Sequence, residues 1–290
     1  MSAAHDARRT LLPLLLALTP GMILHALLVD PQLPLRLLLL AGVCVAAAAP
    51  RSMRAGHGLL DGSALITASV LAVALPPSLS PGLAALAGAF AMLVGRQALD
   101  GFNPAMLAYA VLAIFVPAQL YGPTDASSGA TLLTTMSEAL KQQQTLSEVY
   151  RTHALSPGLS SLPALAWLGG AAWLARHGRL AWRISVGMLV GLSICALLPW
   201  MLDTDRAASP LVHLASGGVL FAACFVATDP GAAPRAVRVQ WLYGLGIGAL
   251  LYALRRWGAY PDGIAFAVLL MNALAPGLER GFTRRPAARS

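Results

Sequence analysis

Apolar residues run along this chain in unbroken stretches of roughly 14 to 20 positions, separated by short joints that carry charge, proline or glycine. A soluble helix would interleave a polar face at helical period, and these stretches do not. They fall at about 11–29, 34–50, 62–76, 82–96, 104–118, 161–175, 184–202, 211–228, 239–254 and 262–278. The pattern predicts an all-α polytopic membrane protein of about ten transmembrane helices. Several stretches are shorter than the approximately 20 residues a straight helix needs to cross the hydrocarbon. The third ends at Pro76-Pro77 and the eighth at Asp229-Pro230, which predicts broken helices lining an internal site.

The two halves echo each other. Asn103-Pro104-Ala105-Met106-Leu107-Ala108, through Pro117, aligns without a gap on Asp262-Gly263-Ile264-Ala265-Phe266-Ala267, through Pro276. Asp61-Gly62-Ser63 and the run to Pro76 resembles Ser216-Gly217-Gly218 and the run to Pro230, with a one-residue shift. Five spans per half is an odd number, so the expected arrangement is two inverted five-helix repeats. The expected domains are a first membrane repeat over 1–118, an exterior loop over 119–160 and a second membrane repeat over 161–290.

Composition agrees with this. Hydrophobic residues make up 57% of the chain, charged residues 11%, and the mean hydropathy is +0.68. Soluble domains carry about 25% charged residues, so an ordinary soluble enzyme is excluded. The net charge of +8 does not point to nucleic acid, because the basic residues sit in the joints between spans and face lipid headgroups and water. With a cytoplasmic N-terminus, the outer segments hold only Arg36, Lys141, Arg151, Arg206, Arg255 and Arg256 of the 20 Lys and Arg. That bias predicts both termini in the cytoplasm of a bacterial inner membrane, with the 119–160 loop outside. The first run, Leu11 to Leu28, is long for a signal-peptide core and reads as an uncleaved span. Cys44, Cys195 and Cys224 lie inside apolar runs without metal-ligand or disulfide spacing and read as small buried hydrophobes.

Two places carry candidate chemistry. Asp61, Asp100 and Asp229 fall at inner span ends beside Gly or Pro, grouped with Asn103 and Thr228. They read either as solvated caps or as a polar pocket, one that admits a guest such as a cation or only closes the interface between the repeats. His213, near the start of the eighth stretch, reads as a structural or interfacial histidine. In the outer loop stands Asp125-Ala126-Ser127-Ser128-Gly129-Ala130-Thr131-Leu132-Leu133. It reads as a Ser/Gly turn, or as a modification acceptor whose small flanking residues let a transferase approach the backbone at Thr131.

That loop resembles the covalent flavin attachment motif in the D subunit of Rnf-type ferredoxin:NAD oxidoreductases and in the related B subunit of the sodium-pumping NADH:quinone reductase. Further segments resemble the family in the same order: Asp61-Gly62-Ser63-Ala64-Leu65-Ile66-Thr67 with Leu75-Pro76-Pro77, Phe102-Asn103-Pro104-Ala105-Met106, Gly217 to Ala223 with Ala227-Thr228-Asp229-Pro230, and Asp262 to Asn272. The resemblance implies FMN joined through its phosphate to Thr131 by a dedicated flavin transferase, with Asp125, Ser128, Gly129 and Ala130 as the recognised surroundings. It also implies a second, non-covalent flavin, riboflavin, on the inner side near Asn103, Asp100, Asp61, Thr228 and Asp229. There the segment Gly95 to Gly101 departs from the family's pattern, being shorter and having Asp100-Gly101 in the Asn-Pro position. The chain is more compact than the quinone-reductase subunit.

The implied role is an electron-carrying subunit of an ion-translocating complex, moving Na⁺ or H⁺ with other Rnf subunits as partners. The chain holds no NAD fingerprint and no iron–sulfur cysteine pattern, so it would be a carrier within a translocase and not a complete enzyme. A channel or secondary transporter of the same architecture, or a scaffold, is the alternative from the residues alone.

Overall fold

The computed structural model describes residues 2–54, 62–121, 162–215, 218–258, 260 and 263–283, and among these there are helices and no strands. In chain order the helices are α1 (Ser2–Leu28), α2 (Leu33–Arg54), α3 (Gly62–Ala74), α4 (Pro81–Phe90), α5 (Pro104–Phe115), α6 (Pro117–Leu120), α7 (Leu162–Arg176), α8 (Trp182–Leu202), α9 (Pro210–Ala215), α10 (Val219–Phe221), α11 (Val237–Trp257) and α12 (Ile264–Thr283). Helix α4 runs on into a π-helical turn over Ala91–Arg96, and α10 into another over Ala222–Val226.

Among the described residues, four helical stretches are long and apolar enough to cross a membrane: Leu33–Met53, Trp182–Leu202, Val237–Trp257 and Ile264–Phe282. Four shorter ones, Leu12–Leu28, Gly62–Ala74, Pro81–Arg96 and Pro104–Phe115, are apolar as well. Their outward faces are apolar too: Leu35 and Leu38 on α2 are 73% and 72% exposed. Such a surface has hydrocarbon as its solvent.

Proline sets where several helices stop. Pro76 and Pro77 lack the N–H that a continuing helix needs, and α3 ends at Ala74. Its 13 residues span only about 20 Å, against about 30 Å of hydrocarbon. The apolar stretch expected to run through Pro117 breaks at Val116, leaving α5 and the short α6. Ser80 caps α4 by accepting from Leu83 N, with Pro81 at the first helical position. The eighth stretch is the most interrupted. Gly218 sits in the left-handed region at φ 67°, which favours glycine, and α10 is a single turn before the π-helical turn.

Glycine decides which helices pack. Helices α8 and α11 meet backbone to backbone: a Cβ on Gly248 would lie 2.2 Å from the Met188 carbonyl oxygen, one on Gly244 2.4 Å from that of Ile184, and one on Gly191 2.5 Å from that of Leu245. Without a hydrophobic effect between apolar helices in lipid, such close approach is what drives association. The α1–α7 contact works the same way, with Gly170 against the Ala17 carbonyl and Gly21 against the Trp167 ring.

Candidate functional site

A proline at position i leaves the carbonyl at i−4 without its helical donor. Pro230 does this to Val226, whose carbonyl accepts the side-chain Nδ2 of Asn103 at 3.1 Å. The same Asn103 caps α5, its Oδ1 accepting Met106 N at 3.0 Å, with Pro104 at the first helical position. One amide, 3% exposed, thus ties the start of α5 to the broken end of the eighth segment. Pro76 strands the carbonyl of Ala72 in the same way, and Arg36 Nε donates to it at 2.9 Å. The Arg36 guanidinium also pairs with Asp30, and both residues are buried.

Around Asn103 lies a pocket of ≈ 40 Å³ lined by Ser63, Ile66, Thr67 and Val70 of α3, Arg96, Pro104 and Ala105, Phe225, and the Asp229-Pro230-Gly231 turn. The helix ends explain the convergence, since α3, α5 and the π-helical turn all present a terminus or a bend here. Asp229 keeps part of its surface open, and its Oδ1 accepts Gly231 N at 3.2 Å. Burial raises its carboxyl above the ordinary value, opposed by the Arg96 guanidinium and the Gly231 N–H, which both lower it. Gly231 makes room for Arg96: a Cβ there would lie 2.3 Å from its Nη1.

Asn103 and Asp229 therefore share the pocket. Thr228 is buried beside it, but its hydroxyl donates to the Cys224 carbonyl of its own turn at 2.6 Å. Asp100 is exposed in the turn before α5, outside the lining. Asp61 and the loop residues Asp125, Ser128, Gly129, Ala130 and Thr131 lie outside the described residues. Arg96 and Thr67 escape a reading of the sequence, Arg96 because it counts there only as a topology charge.

The donor set (a guanidinium, an amide, hydroxyls and the Phe225 ring) suits the polar edge and face of a flavin ring. The free space is that of about three waters, so a ring would need the lining to move.

Three further buried polar residues, Tyr243, Asn272 and His213, lie outside the pocket lining. Tyr243 on α11 donates to Asn272 Oδ1 on α12, both nearly fully buried. His213 is buried against Tyr252 in an edge-to-face contact, with ring centroids 5.4 Å apart, and its backbone carbonyl accepts Arg255 Nη1 at 2.9 Å. Cys44 and Cys224 are buried, Cys195 is partly so, and all three are free thiols.

A sequence model of the NQR2, RnfD, RnfE family matches residues 1–288. The chain is 37% identical over 273 residues to the D subunit of the ion-translocating oxidoreductase complex of Pseudomonas paraeruginosa, covering 83% of this chain and 79% of that one. It is 32% identical over 267 residues to the D subunit of the same complex in Pectobacterium atrosepticum, covering 76% of each. With that of Alcanivorax borkumensis the identity is 36% over 252 residues, covering 76% of this chain and 74% of the relative.

Proposed function

The chain belongs to the NQR2, RnfD, RnfE family, and on that premise we propose that it is a membrane subunit of an ion-translocating oxidoreductase complex, carrying FMN covalently on Thr131. What carries the reading is the coincidence of family membership over nearly the whole chain with the Asp125…Ser128-Gly129-Ala130-Thr131 pattern in its one long polar segment. FMN, when bound, supplies the redox chemistry; the chain supplies the acceptor hydroxyl, the tether and the surroundings that set its potential. A phosphoester to the Thr131 oxygen leaves the ring free to cycle, and a tether prevents loss by dilution outside the cytoplasm. The bond needs a flavin transferase, and electron transfer needs neighbouring Rnf subunits.

The membrane arrangement belongs to the same proposal: ten spans in two inverted repeats, both termini cytoplasmic, and the 119–160 loop on the outer side of a bacterial inner membrane. On this orientation the Asn103–Asp229 pocket opens inward, where its donor set would hold riboflavin by hydrogen bonds to Asn103, Arg96 and the hydroxyls of α3. Coupling is to Na⁺ or H⁺.

The test is the mass of the tryptic peptide containing Thr131, from cells that express the flavin transferase. The expected peptide bears FMN, and Thr131→Ala abolishes the covalent fluorescence of the denatured band while leaving membrane insertion intact. An unmodified peptide overturns the flavin reading. The second reading, a channel or secondary transporter without redox function, is favoured by the proline-ended short helices around a polar pocket, and would then stand.

A further inference from the structure

The α1–α7 pair leaves an apolar groove of ≈ 200 Å³ on its surface, lined by Leu16, Ala17 and Pro20 of α1 and by Gly169, Gly170 and Trp173 of α7. The two glycines have different surroundings. Gly170 is closed, because a Cβ there would lie 2.2 Å from the Ala17 carbonyl oxygen. Gly169 is open: a Cβ there would meet nothing within 4 Å, so helix packing does not require a glycine at that position. Leu16 and Trp173 stand exposed at the walls. A groove with apolar side chains does not hold water, and left void it forfeits the dispersion contacts of its lining.

The chemistry changes at one end. Gly169, Trp173 and Arg176 follow one another at i, i+4 and i+7 and so form one stripe on α7. Arg176 stands about 10 Å along the axis from Gly169, just past a tryptophan, the order in which a span passes from hydrocarbon through an aromatic belt to charge. His177 Nδ1 donates to the Trp173 carbonyl at 2.7 Å, and its ring lies 4.7 Å from the Trp173 ring, which fixes the edge of the groove. Gly178, in the left-handed region at φ 67°, then ends α7, and the Arg179 N–H donates back to the Leu174 carbonyl at 2.9 Å. That turn puts a second arginine at the same helix end. Both arginines are exposed, and among the described residues neither has a carboxylate within 4.0 Å. Residues 162–183 include no Asp or Glu. The two helices run antiparallel, Ala17 meeting Gly170 and Gly21 meeting Trp167. This end of the pair is therefore also where α1 starts, with Asp6 followed by Arg8 and Arg9.

We propose that this groove binds a phospholipid of net negative charge, with one acyl chain lying beside Gly169 and the phosphate on Arg176 and Arg179. A topology signal alone needs the basic residues and not an apolar notch two turns away on the same stripe. Charge selects the headgroup: a zwitterionic one brings its own cation, whereas an anionic one answers the unpaired guanidiniums. The site asks only that the chain spans a membrane, and it stands apart from the flavin reading.

The experiment uses the full chain purified in detergent and equilibrated with equal amounts of phosphatidylglycerol and phosphatidylcholine of the same acyl chains. Native mass spectrometry counts the lipids retained. The wild-type chain should retain phosphatidylglycerol in preference. Arg176→Gln/Arg179→Gln should lower that preference at least about tenfold, since each basic residue near an anionic headgroup contributes about fivefold. Gly169→Leu should lower the retained phosphatidylglycerol at least about tenfold, the worth of roughly two buried methylenes, and leave the thermal midpoint unchanged because its side chain enters open space. Glycerol phosphate in excess should not displace the lipid, and displacement would make this a site for free phosphate and overturn the proposal. Equal retention of the two lipids by the wild-type chain also overturns it, as does a preference that both variants keep. In the whole complex, the Gly169→Leu chain should bring one phosphatidylglycerol fewer than wild type. An equal count there puts a neighbouring subunit's helix over the groove and overturns the lipid as its occupant.

Discussion

Two helical segments of this protein end at a proline, and the carbonyl that each proline deprives of its i+4 helical donor is treated differently. At the end of α3 the Ala72 carbonyl is taken by Arg36, whose guanidinium is bound to Asp30 in a buried pair. At the end of the eighth segment the Val226 carbonyl accepts Asp229 N at 3.3 Å within its own turn and, from across the fold, the neutral amide of Asn103, already engaged in capping α5. The local problem is one, and the solutions have different consequences. A buried ion pair cannot lose a member without leaving the other charge uncompensated, so the α3 end has one workable arrangement. The amide bond can be released for about the 1–3 kcal/mol of one buried hydrogen bond. Neither Arg36, Asp30 nor Ala72 lines the pocket. The releasable end is where Asp229, Arg96 and the hydroxyls of α3 converge, as expected of a place that must admit and release a guest.

The comparison breaks most visibly at Arg36. Arg36→Met leaves Asp30 buried without its partner and the Ala72 carbonyl without a donor, an expected loss of about 3–5 kcal/mol. It should appear as a collapse in membrane yield and in the thermal midpoint of the purified protein. The pair Asp30→Asn/Arg36→Met should recover part of that loss, since neither charge remains. Wild-type yield and midpoint for Arg36→Met alone would show that the ion pair does not hold the α3 end.

Asn103→Ala comes second, at about 1–3 kcal/mol, because it removes a cap and a buried bond together. Asn103→Ser keeps a capping oxygen but does not reach Val226, so it isolates the bond across to the broken helix. On the proposed function, both should lower non-covalent flavin content and leave the covalent FMN proposed for Thr131 in place. Unchanged flavin content with unchanged stability would remove Asn103 from the pocket.

Restoring the missing N–H sharpens the contrast further. Pro230→Ala offers Val226 a helical donor, so Asn103→Ala should cost less in that background, by a coupling of about 1 kcal/mol in a double-mutant cycle of thermal midpoints. Pro76→Ala should not rescue Arg36→Met, because Asp30 would still be unpaired. Equal rescue at both ends would mean that the two ends are equivalent after all.

Much of this was legible in the sequence, and the limits have physical causes. Every apolar stretch contains helix, because uninterrupted apolar runs leave the backbone few other ways to bond itself. Pro76 and Pro230 announced breaks, since a missing N–H acts locally, whereas the run read as continuing through Pro117 breaks there and the cap that Asn103 makes on α5 went unread. Tertiary partners were not legible. Arg36 counted as an outer topology charge, yet it is buried on Asp30 and the Ala72 carbonyl, six and 36 residues away. Arg96 was likewise counted by side of the membrane, when its place is over Gly231 in the pocket. Thr228 carries a hydroxyl that its own turn consumes. Asp100 belongs to an exposed turn, where a carboxylate needs no partner. The two π-helical turns left no mark in the hydrophobic pattern, because a single wide turn shifts the register without changing composition.

The smallest expected effect is at Asp229, and it has a sign opposite to the one at Asp30. Burial holds the Asp229 carboxyl above its ordinary value despite Arg96 and the Gly231 N–H, so the folded protein favours the protonated form. Well below the ordinary carboxylate value both folded and unfolded chains are protonated, and the group has no effect on stability. As pH rises the unfolded chain gives up its proton first and is stabilised relative to the folded one, so the folded state loses stability between the two values and stays penalised above them. Asp229→Asn removes that penalty. It should raise the thermal midpoint at about pH 7–8, and the gain should shrink as the pH is lowered toward about 4. Asp30→Asn should lower the midpoint at neutral pH, because it breaks the pair with Arg36. A neutral-pH midpoint for Asp229→Asn at or below wild type would mean that attraction to Arg96 outweighs burial, and that the pocket end is held by charge much as the α3 end is.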